Sequence, residues 1–219
     1  MAEVIRFYRV GEPYGLFSNL SPHPVFIDRR WPTAEHSFQA QKFSDDEAKD
    51  AIANTDSPAE AARLGRGTRW SLRADWNDVR DDVMRIVVRA KVAQHRSVYE
   101  ALMETGDAQI VEHTTNDHYW ADGGDGSGRN MLGRILMEIR AEIVADGDAE
   151  LSGMLPPPWA ALPGLPRMSV GWRMGFGESF IGRWGATYDA LSPAARLRYQ
   201  QRWPVPAGGE WTDYWETEV

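Results

Sequence analysis

The 219-residue sequence contains no cysteine. This absence excludes a disulfide framework, a zinc site with cysteine ligands and a thiol nucleophile. The sequence also lacks any run of about 18 apolar residues, so a membrane-spanning helix is not expected. Its first six residues, MAEVIR, do not follow the basic-then-apolar plan of a secretory signal. We therefore expect a soluble, cytoplasmic protein without a membrane partner.

An excess of basic charge is lacking as well. The chain has 24 Lys and Arg against 32 Asp and Glu, which gives a net charge of −8. Proteins that grip phosphate backbones usually carry a basic surface. The acidic total still permits a local basic groove, so it argues only against tight, general nucleic-acid binding. Charged residues make up 26% of the chain, and an ordinary hydrophobic core is expected.

The composition changes near residue 150. Residues 1–150 carry the whole net charge, whereas residues 151–219 contain six acidic and six basic side chains. The second segment also holds six of the ten Trp and eight of the 13 Pro. The run Leu155-Pro156-Pro157-Pro158 favours an extended linker. We predict a domain in residues 1–150 and an extension in residues 151–219. The extension is interpreted as a docked structural segment, a substrate-selecting lid or an aromatic platform for nucleic acid.

Hydrophobic patterns predict three short strands, over Val4–Arg9, Val25–Arg30 and Gln109–His113. Two helices are predicted from Thr33 to about Phe43 and from Met131 to Val144.

Capping signals predict further helices. Ser57-Pro58 would begin one that Gly65 closes, and Asp75 and Ser97 would cap two more. Ser192-Pro193 would start another in the extension, running to about Arg202. The predicted fold class is α+β: a helix-dominated domain with a small antiparallel sheet.

The segment from Trp31 to Lys42 is the first candidate for chemistry. In a helix, Glu35, Gln39 and Lys42 stand at positions i, i+4 and i+7, and so share one face. A substrate could lie between Glu35 and Lys42. The alternative is a solvated helix face with a Glu near the favourable end of the dipole. The His-Glu-x-x-His spacing of a zinc site is absent around His36, and no metal is expected.

A glycine-rich stretch, Trp120–Asn130, leads into the last predicted helix of the domain. Glycines let backbone N–H groups approach a ligand closely, and a helix N-terminus adds unpaired donors that suit a phosphate. The stretch matches neither a Walker loop nor a dinucleotide fingerprint. A flexible surface loop is the alternative. Asp122 and Asp125 are unusual in an anion loop unless one of them has a chemical role.

Short motifs follow one another in a characteristic order between Ile5 and about Ala145. They are Phe7-Tyr8; Gly15-x-Phe17-Ser18-Asn19; Trp31-Pro32-Thr33-x-Glu35-His36-x-Phe38-Gln39-Ala40-x-Lys42-Phe43; Ala61-Ala62-Arg63-x-Gly65-Arg66; Leu72-Arg73-x-x-Trp76; Arg89-Ala90-Lys91; Val111-Glu112-His113-Thr114; Asn116-Asp117; Tyr119-Trp120-x-Asp122-Gly123-Gly124; and Gly128-x-Asn130-x-Leu132-Gly133-x-x-Leu136-Met137-x-x-Arg140. Each motif alone has little specificity, whereas the ordered set is specific. Together they resemble the NADAR family of YbiA-like N-glycosidases.

The resemblance implies hydrolysis of a ribosyl C–N bond on a small, nucleotide-like substrate. Two substrate classes are associated with the family. One is the phosphoribosylamino-pyrimidine intermediates of riboflavin biosynthesis, and the other is ADP-ribose attached to guanine in nucleic acid or nucleotides. Neither class requires a cofactor. The open alternative to both is a non-catalytic module that binds ADP-ribose or NAD, although binding alone would not require both Glu35 and Lys42.

The residue types suit this chemistry. Cleavage of a ribosyl C–N bond passes through a cation-like sugar carbon, which a carboxylate stabilises while an acid helps the nitrogen leave. A neutral amine can instead capture an opened sugar as a Schiff base. We predict Glu35 as acid or base, Lys42 as the amine and Asp122 as a sugar-hydroxyl or electrostatic group. Predicted substrate contacts are Phe17, Asn19, Gln39, Trp76, Trp120, Gly123, Gly124 and Asn130.

Overall fold

The computed structural model describes residues 3–145, 151 and 154–217. The chain forms two compact units. The first comprises residues 1–25 and 30–142, and the second comprises residues 26–29 and 143–219. The boundary predicted at about residue 150 lies outside the described residues.

The first unit is built mainly from helices. These are α1 (Ala34–Ala40), α2 (Asp46–Ala53), α3 (Pro58–Arg66), α4 (Trp76–Gln94), α5 (Arg96–Glu104) and α6 (Met131–Ala145). Its paired strands are β1 (Val4–Phe7) and β4 (Gln109–Glu112). Elsewhere in the chain two very short strands, β2 (Val25–Phe26) and β3 (Arg30–Trp31), pair with each other. The predicted helix-dominated α+β class is confirmed.

The predicted antiparallel sheet is wrong, because β1 and β4 pair in parallel with Val4 opposite Gln109. Parallel pairing requires a crossover connection, and here the five helices α1–α5 return the chain to the same end of the ribbon.

Several predicted caps are observed and others are not. Thr33 and Ser57 accept backbone N–H groups at the starts of α1 and α3. The Asp75 carboxylate, in contrast, pairs with Arg73 and caps nothing by its side chain. Ser97 lies inside α5, whose N-cap position is His95. Helix α3 continues past Gly65 to Arg66, and α2 carried no signal in our sequence analysis.

The second unit contains α7 (Pro158–Ala161), α8 (Gly175–Asp189), α9 (Pro193–Arg202) and α10 (Tyr214–Thr217). The predicted start of α9 is confirmed, because Ser192 Oγ accepts the amide of Ala195. All six Trp of the extension pack in or against one core, with Trp159 and Trp184 buried at its centre. This packing favours a structural role for these rings over an aromatic platform for nucleic acid. No helix among the described residues is long and apolar enough to cross a membrane.

Candidate active site

Helix α1 presents Glu35 beside Gln39. Thr33 adopts an extended backbone and caps the helix, which fixes where the first turn starts. Glu35 and Gln39 are four residues apart, and Gln39 Nε2 donates a 2.7 Å hydrogen bond to Glu35 Oε1. The helix ends at Ala40, earlier than predicted, so Lys42 lies in the turn that follows. Its amide donates to the Gln39 carbonyl at 3.3 Å, which keeps it close to this face.

The Glu35 carboxyl occupies a crevice and retains some exposure. Burial raises the pKa of Glu35 above its ordinary value, and the charge of Asp117 raises it further. The hydrogen bond from Gln39 and the charges of Lys42 and Arg66 oppose this rise. The protonated form is therefore favoured relative to a carboxyl in water, which suits a group that must deliver a proton.

The pKa of the Lys42 amine is shifted in the opposite direction to that of Glu35. Burial lowers the pKa of Lys42, and the charge of Arg66 lowers it too, against the opposing effect of Glu35. Lys42 Nζ donates to the Gly65 carbonyl at 3.2 Å. It lies 5.8 Å from the ring centroid of Phe38 and 5.9 Å from that of Trp76. A lowered pKa increases the neutral, nucleophilic fraction of an amine.

Three aromatic rings form a wall beside this pair. The Phe38 ring centroid lies 5.3 Å from that of Trp76 and 5.3 Å from that of Trp120. Trp76 is only 8% exposed, whereas Trp120 is more accessible. The predicted stacking of Trp76 on a base stays a prediction, and Trp120 offers more free surface for it.

Two acidic residues join the site that our sequence analysis quoted in motifs without giving them a role. Glu112 ends strand β4, and Asp117 follows in the next loop. Burial raises the pKa of Glu112 to about 8, and the charges of Asp117 and Glu35 add to the rise. Lys91 opposes it. Because Glu35 and Asp117 both act on Glu112, the structure gathers three carboxyl groups, of which Glu35 is far in sequence from the other two.

The raised pKa of Glu112 predicts how the unfolding free energy depends on pH. In the folded protein this carboxyl stays protonated up to about pH 8, whereas in the unfolded chain it ionises near 4.5. The contribution of protonated Glu112 to the unfolding free energy is therefore fully present below about pH 4.5 and is lost as the pH rises to about 8. We expect the unfolding free energy of Glu112→Gln, relative to wild type, to increase by a few kcal/mol between pH 5 and pH 8.

Urea denaturation of both proteins at pH 5 and pH 8 measures this change. Lys91, whose pKa is lowered to about 7 by burial, titrates in both proteins, so its effect largely cancels in the comparison. Glu47→Gln is the matched control, since Glu47 is exposed and pairs with Arg69 at the surface. If the unfolding free energies of Glu112→Gln and wild type differ by the same amount at both pH values, the raised pKa of Glu112 is contradicted.

Phe17 and Asn19 are buried in the segment that precedes α1. Phe17 is 1% exposed and packs against Phe7 at a ring distance of 5.7 Å. Asn19 is also buried, and its carbonyl accepts the amide of Glu35 at 3.0 Å. Its side-chain Nδ2 reaches Met84 Sδ at 3.2 Å. Asn19 therefore helps to hold the start of α1 in place, and direct contact of Phe17 or Asn19 with a substrate stays a prediction.

The glycine-rich loop does not offer the free amides that we expected. The amides of Gly123, Gly124, Gly126 and Gly128 all donate to Asp117 or Asp122. The amides that open α6 are also used, donating to carbonyls of residues 119–121. A phosphate therefore finds few unpaired donors along this backbone.

Asn130 is likewise engaged within the domain. Its Oδ1 accepts the Glu112 amide at 3.0 Å, and its Nδ2 donates to the Ile110 carbonyl at 2.8 Å. Substrate contacts by Gly123, Gly124 and Asn130 stay predictions.

Asp122 is held by partners of its own. Its Oδ2 lies 2.8 Å from His113 Nδ1, and its Oδ1 accepts the Gly124 amide at 2.8 Å. Burial works against ionisation, but these hydrogen bonds hold the pKa of Asp122 below its ordinary value. Among the described residues, neither Glu35 nor Lys42 is one of the groups that set this pKa. Asp122 influences Glu112 electrostatically, and its predicted part in catalysis stays a prediction.

Gly65 lies against the side chain of Gln39, which holds Glu35. A Cβ at this position would overlap the side-chain oxygen of Gln39 and lie 2.9 Å from its Cβ. We expect Gly65→Ala to lower the unfolding free energy by about 1–3 kcal/mol through overpacking. It should also reduce turnover, because Gln39 must move away from Glu35.

Gly182→Ala is the control for this prediction. Gly182 lies inside helix α8, and no neighbouring heavy atom lies within 4 Å of the added methyl group. It should be neutral or slightly stabilising, because Ala is the better helix former. Equal unfolding midpoints for the two variants in guanidinium chloride would show that Gln39 is not confined by Gly65.

The described geometry gives a candidate reaction centre: a carboxyl group with a raised pKa near an amine with a lowered pKa, against an aromatic wall in a helix-dominated α+β domain. Such opposed shifts are typical of acid–base or nucleophilic catalysis. The NADAR domain model of protein families matches residues 6–144, and the chain belongs to that family.

Curated relatives are similar over the same region. N-glycosidase YbiA of Escherichia coli (strain K12) is 45% identical over 144 residues, covering 65% of this chain and 90% of the relative. N-glycosidase Npun_R5314 of Nostoc punctiforme is 44% identical over 145 residues, covering 64% and 92%. The riboflavin biosynthesis protein VVA0006 of Vibrio vulnificus is 39% identical over 165 residues, covering 73% of this chain and 45% of its own length.

A solved structure is similar as well. The NMR structure of the E. coli protein YbiA aligns with a TM-score of 0.62 at 44% sequence identity. It covers 67% of this chain and 88% of its own chain.

Proposed function

We propose that this protein is an N-glycosidase that hydrolyses the ribosyl C–N bond of phosphoribosylamino-pyrimidine intermediates of riboflavin biosynthesis, or of similar nucleotide-like substrates. The observation that carries the proposal is that Glu35, held by Gln39, and Lys42, held by the Gly65 carbonyl, lie within electrostatic reach of each other, and their pKa values are shifted in opposite directions. The broader class, a hydrolase acting on N-glycosyl bonds, agrees with the relatives named N-glycosidase.

The reaction needs a proton for the departing nitrogen and stabilisation of a cation-like sugar carbon. Glu35 supplies the proton in this proposal, because its protonated form is favoured. Once the nitrogen has left, the carboxylate that remains stabilises the sugar cation and accepts a proton from the attacking water. Gln39 holds one carboxyl oxygen of Glu35 and thereby orients the other.

Lys42 can take part in one of two ways. As a neutral amine it can attack C1 of the ring-opened sugar, where the bond to the pyrimidine nitrogen is an imine. The pyrimidine amine then leaves with a proton from Glu35, and water hydrolyses the resulting Lys42 Schiff base to release the sugar phosphate and the free amine. As a cation it can instead stabilise the developing charge on Glu35. Its lowered pKa favours the first way.

The choice of pyrimidine substrates is supported by the names of two relatives. Besides the Vibrio protein, the chloroplastic riboflavin biosynthesis protein PYRR of Zea mays is 35% identical over 157 residues. This chain covers only 45% of the first and 25% of the second, so either relative contains further segments. The aromatic wall of Phe38, Trp76 and Trp120 suits a planar base in either substrate class.

A side-by-side turnover assay tests the proposal. Purified protein is offered the phosphoribosylamino-pyrimidine intermediate and, separately, guanosine or DNA bearing ADP-ribose, with Lys42→Ala as the control. We expect release of ribose 5-phosphate from the first substrate. Release of ADP-ribose from the second substrate alone would make the protein an ADP-ribosyl-guanine hydrolase. Binding of ADP-ribose without turnover of either substrate would identify a non-catalytic module.

A further inference from the structure

A second concavity lies within the first unit, between the β1–β4 ribbon and the start of α6. Its volume is about 350 Å³, which is within the range of small-ligand sites. Its walls come from alternate residues of the ribbon, Val4 and Arg6 with Gln109 and Val111, together with the glycine-rich loop and the first turns of α6. Neither Glu35 nor Lys42 lines it. The lining of the cavity is therefore distinct from the residues of the candidate reaction centre.

Three arginines from different elements line this cavity. Arg6 comes from β1, Arg129 from the loop and Arg134 from α6. Within the described ranges, 3–145, 151 and 154–217, none of the three guanidinium groups has a carboxylate at ion-pair distance. The Arg129 guanidinium carbon lies 4.6 Å from the Tyr119 ring centroid, a cation–π contact. Three cationic side chains around one cavity, without a carboxylate partner, give it a positive potential that favours an anion.

Asp122, the one acidic side chain in the lining, makes no ion pair with these arginines among the described residues. Both oxygens of Asp122 are already engaged, by His113 and by the amide of Gly124. The backbone amides of the loop are also consumed internally. An anion in this cavity would thus be held by arginine side chains, whose planar forks match phosphate oxygens in a bidentate manner.

Part of the remaining lining is apolar, which points to a ligand with two parts. Val4, Val111 and Met137 contribute hydrocarbon surface beside the arginines. Inorganic ions alone would gain nothing from this surface, whereas a phosphorylated organic molecule could cover it. We propose that this cavity binds a phosphate-bearing nucleotide-like ligand, with Arg6, Arg129 and Arg134 as its cationic contacts.

The ligand chemistry has two sources, and the proposal does not depend on the reaction proposed above. The phosphate could belong to the substrate itself or to a separate nucleotide that binds independently. Binding of pyrophosphate and of ADP-ribose, measured by calorimetry and by NMR shift mapping, tests the shared chemistry directly. The variants are Arg6→Ala, Arg134→Ala and the double variant. Arg96→Ala is the matched control, since it removes an exposed arginine that pairs with Glu100 on α5.

We expect each single variant to weaken pyrophosphate and ADP-ribose binding by roughly tenfold, and the double variant to weaken it more. Arg96→Ala should bind as wild type does. Because Arg6 and Arg134 are exposed, loss of folding is not expected, and circular dichroism verifies this. Wild-type affinity in the double variant, or no binding of either probe by wild type, would overturn the proposal.

Steady-state kinetics then separate the two sources. If the cavity holds the phosphate of the substrate, KM for the phosphorylated substrate rises in Arg6→Ala and Arg134→Ala while KM for its dephosphorylated form is unchanged. If it holds a separate nucleotide, neither KM changes, although pyrophosphate affinity still falls. Both results support the site. An enzyme that turns over neither substrate would refute the proposed reaction, and the binding measurements would still decide about the cavity.

Discussion

Replacing Lys42 with alanine is expected to lower kcat by about 10³-fold on the substrate that the wild-type protein cleaves. Loss of a positioned acid–base or nucleophilic group typically costs 10²–10⁴-fold. The amine is partly buried between the Gly65 carbonyl and the rings of Phe38 and Trp76, so water cannot easily take its place. Initial rates at saturating substrate measure the effect, with circular dichroism to verify folding.

Lys42→Arg separates the two ways in which Lys42 can act. A guanidinium keeps the positive charge but cannot form a Schiff base. We expect Lys42→Arg to be about as impaired as Lys42→Ala if the amine acts covalently, and to recover much of the rate if only its charge matters. Lys49→Ala is the matched control, because Lys49 makes a surface ion pair with Asp46. Turnover within tenfold of wild type in Lys42→Ala would remove Lys42 from the chemical step.

Replacing Glu35 with glutamine is expected to lower kcat by about 10²–10⁴-fold, the usual range for a positioned general acid. Glutamine preserves the volume but cannot donate a proton with comparable acidity. The Glu35 charge raises the pKa of Lys42, so its removal lowers that pKa further and leaves the amine more neutral. Loss of activity therefore cannot be explained by protonation of Lys42.

The pH profile provides a second readout for Glu35. If its protonated form is the active one, kcat/KM of wild type falls as the pH rises through the raised pKa of Glu35. The residual activity of Glu35→Gln should lack this descending limb. Glu47→Gln, at an exposed surface pair, should match wild type throughout. A Glu35→Gln enzyme with an unchanged profile and rate would show that another group supplies the proton.

Local features of the site were predictable from sequence because they depend on neighbours along the chain. The Thr33 cap and the four-residue spacing of Glu35 and Gln39 define one turn of helix, and both are observed. Lys42 stays near Glu35 even though α1 ends two residues before it.

Long-range features were not predictable in this way. Glu112 meets Glu35 only because β4 pairs with β1 after a crossover of five helices, and no local pattern encodes that pairing. The glycine-rich loop illustrates the same limit, since its composition suggested free amides. Their actual partners are the carbonyls and carboxylates of residues 117–125, which are set by how the loop folds back on itself.

The most direct test of the reaction centre is a crystal structure of the Glu35→Gln variant with its bound phosphoribosylamino-pyrimidine. We expect the ribosyl C1 atom to lie within about 3–3.5 Å of the group that reacts with it, between residue 35 and Lys42 Nζ, as in a near-attack arrangement. We also expect the base to lie against the Phe38, Trp76 and Trp120 wall. A ribose bound elsewhere in the domain, with C1 far from both residues, would contradict the account.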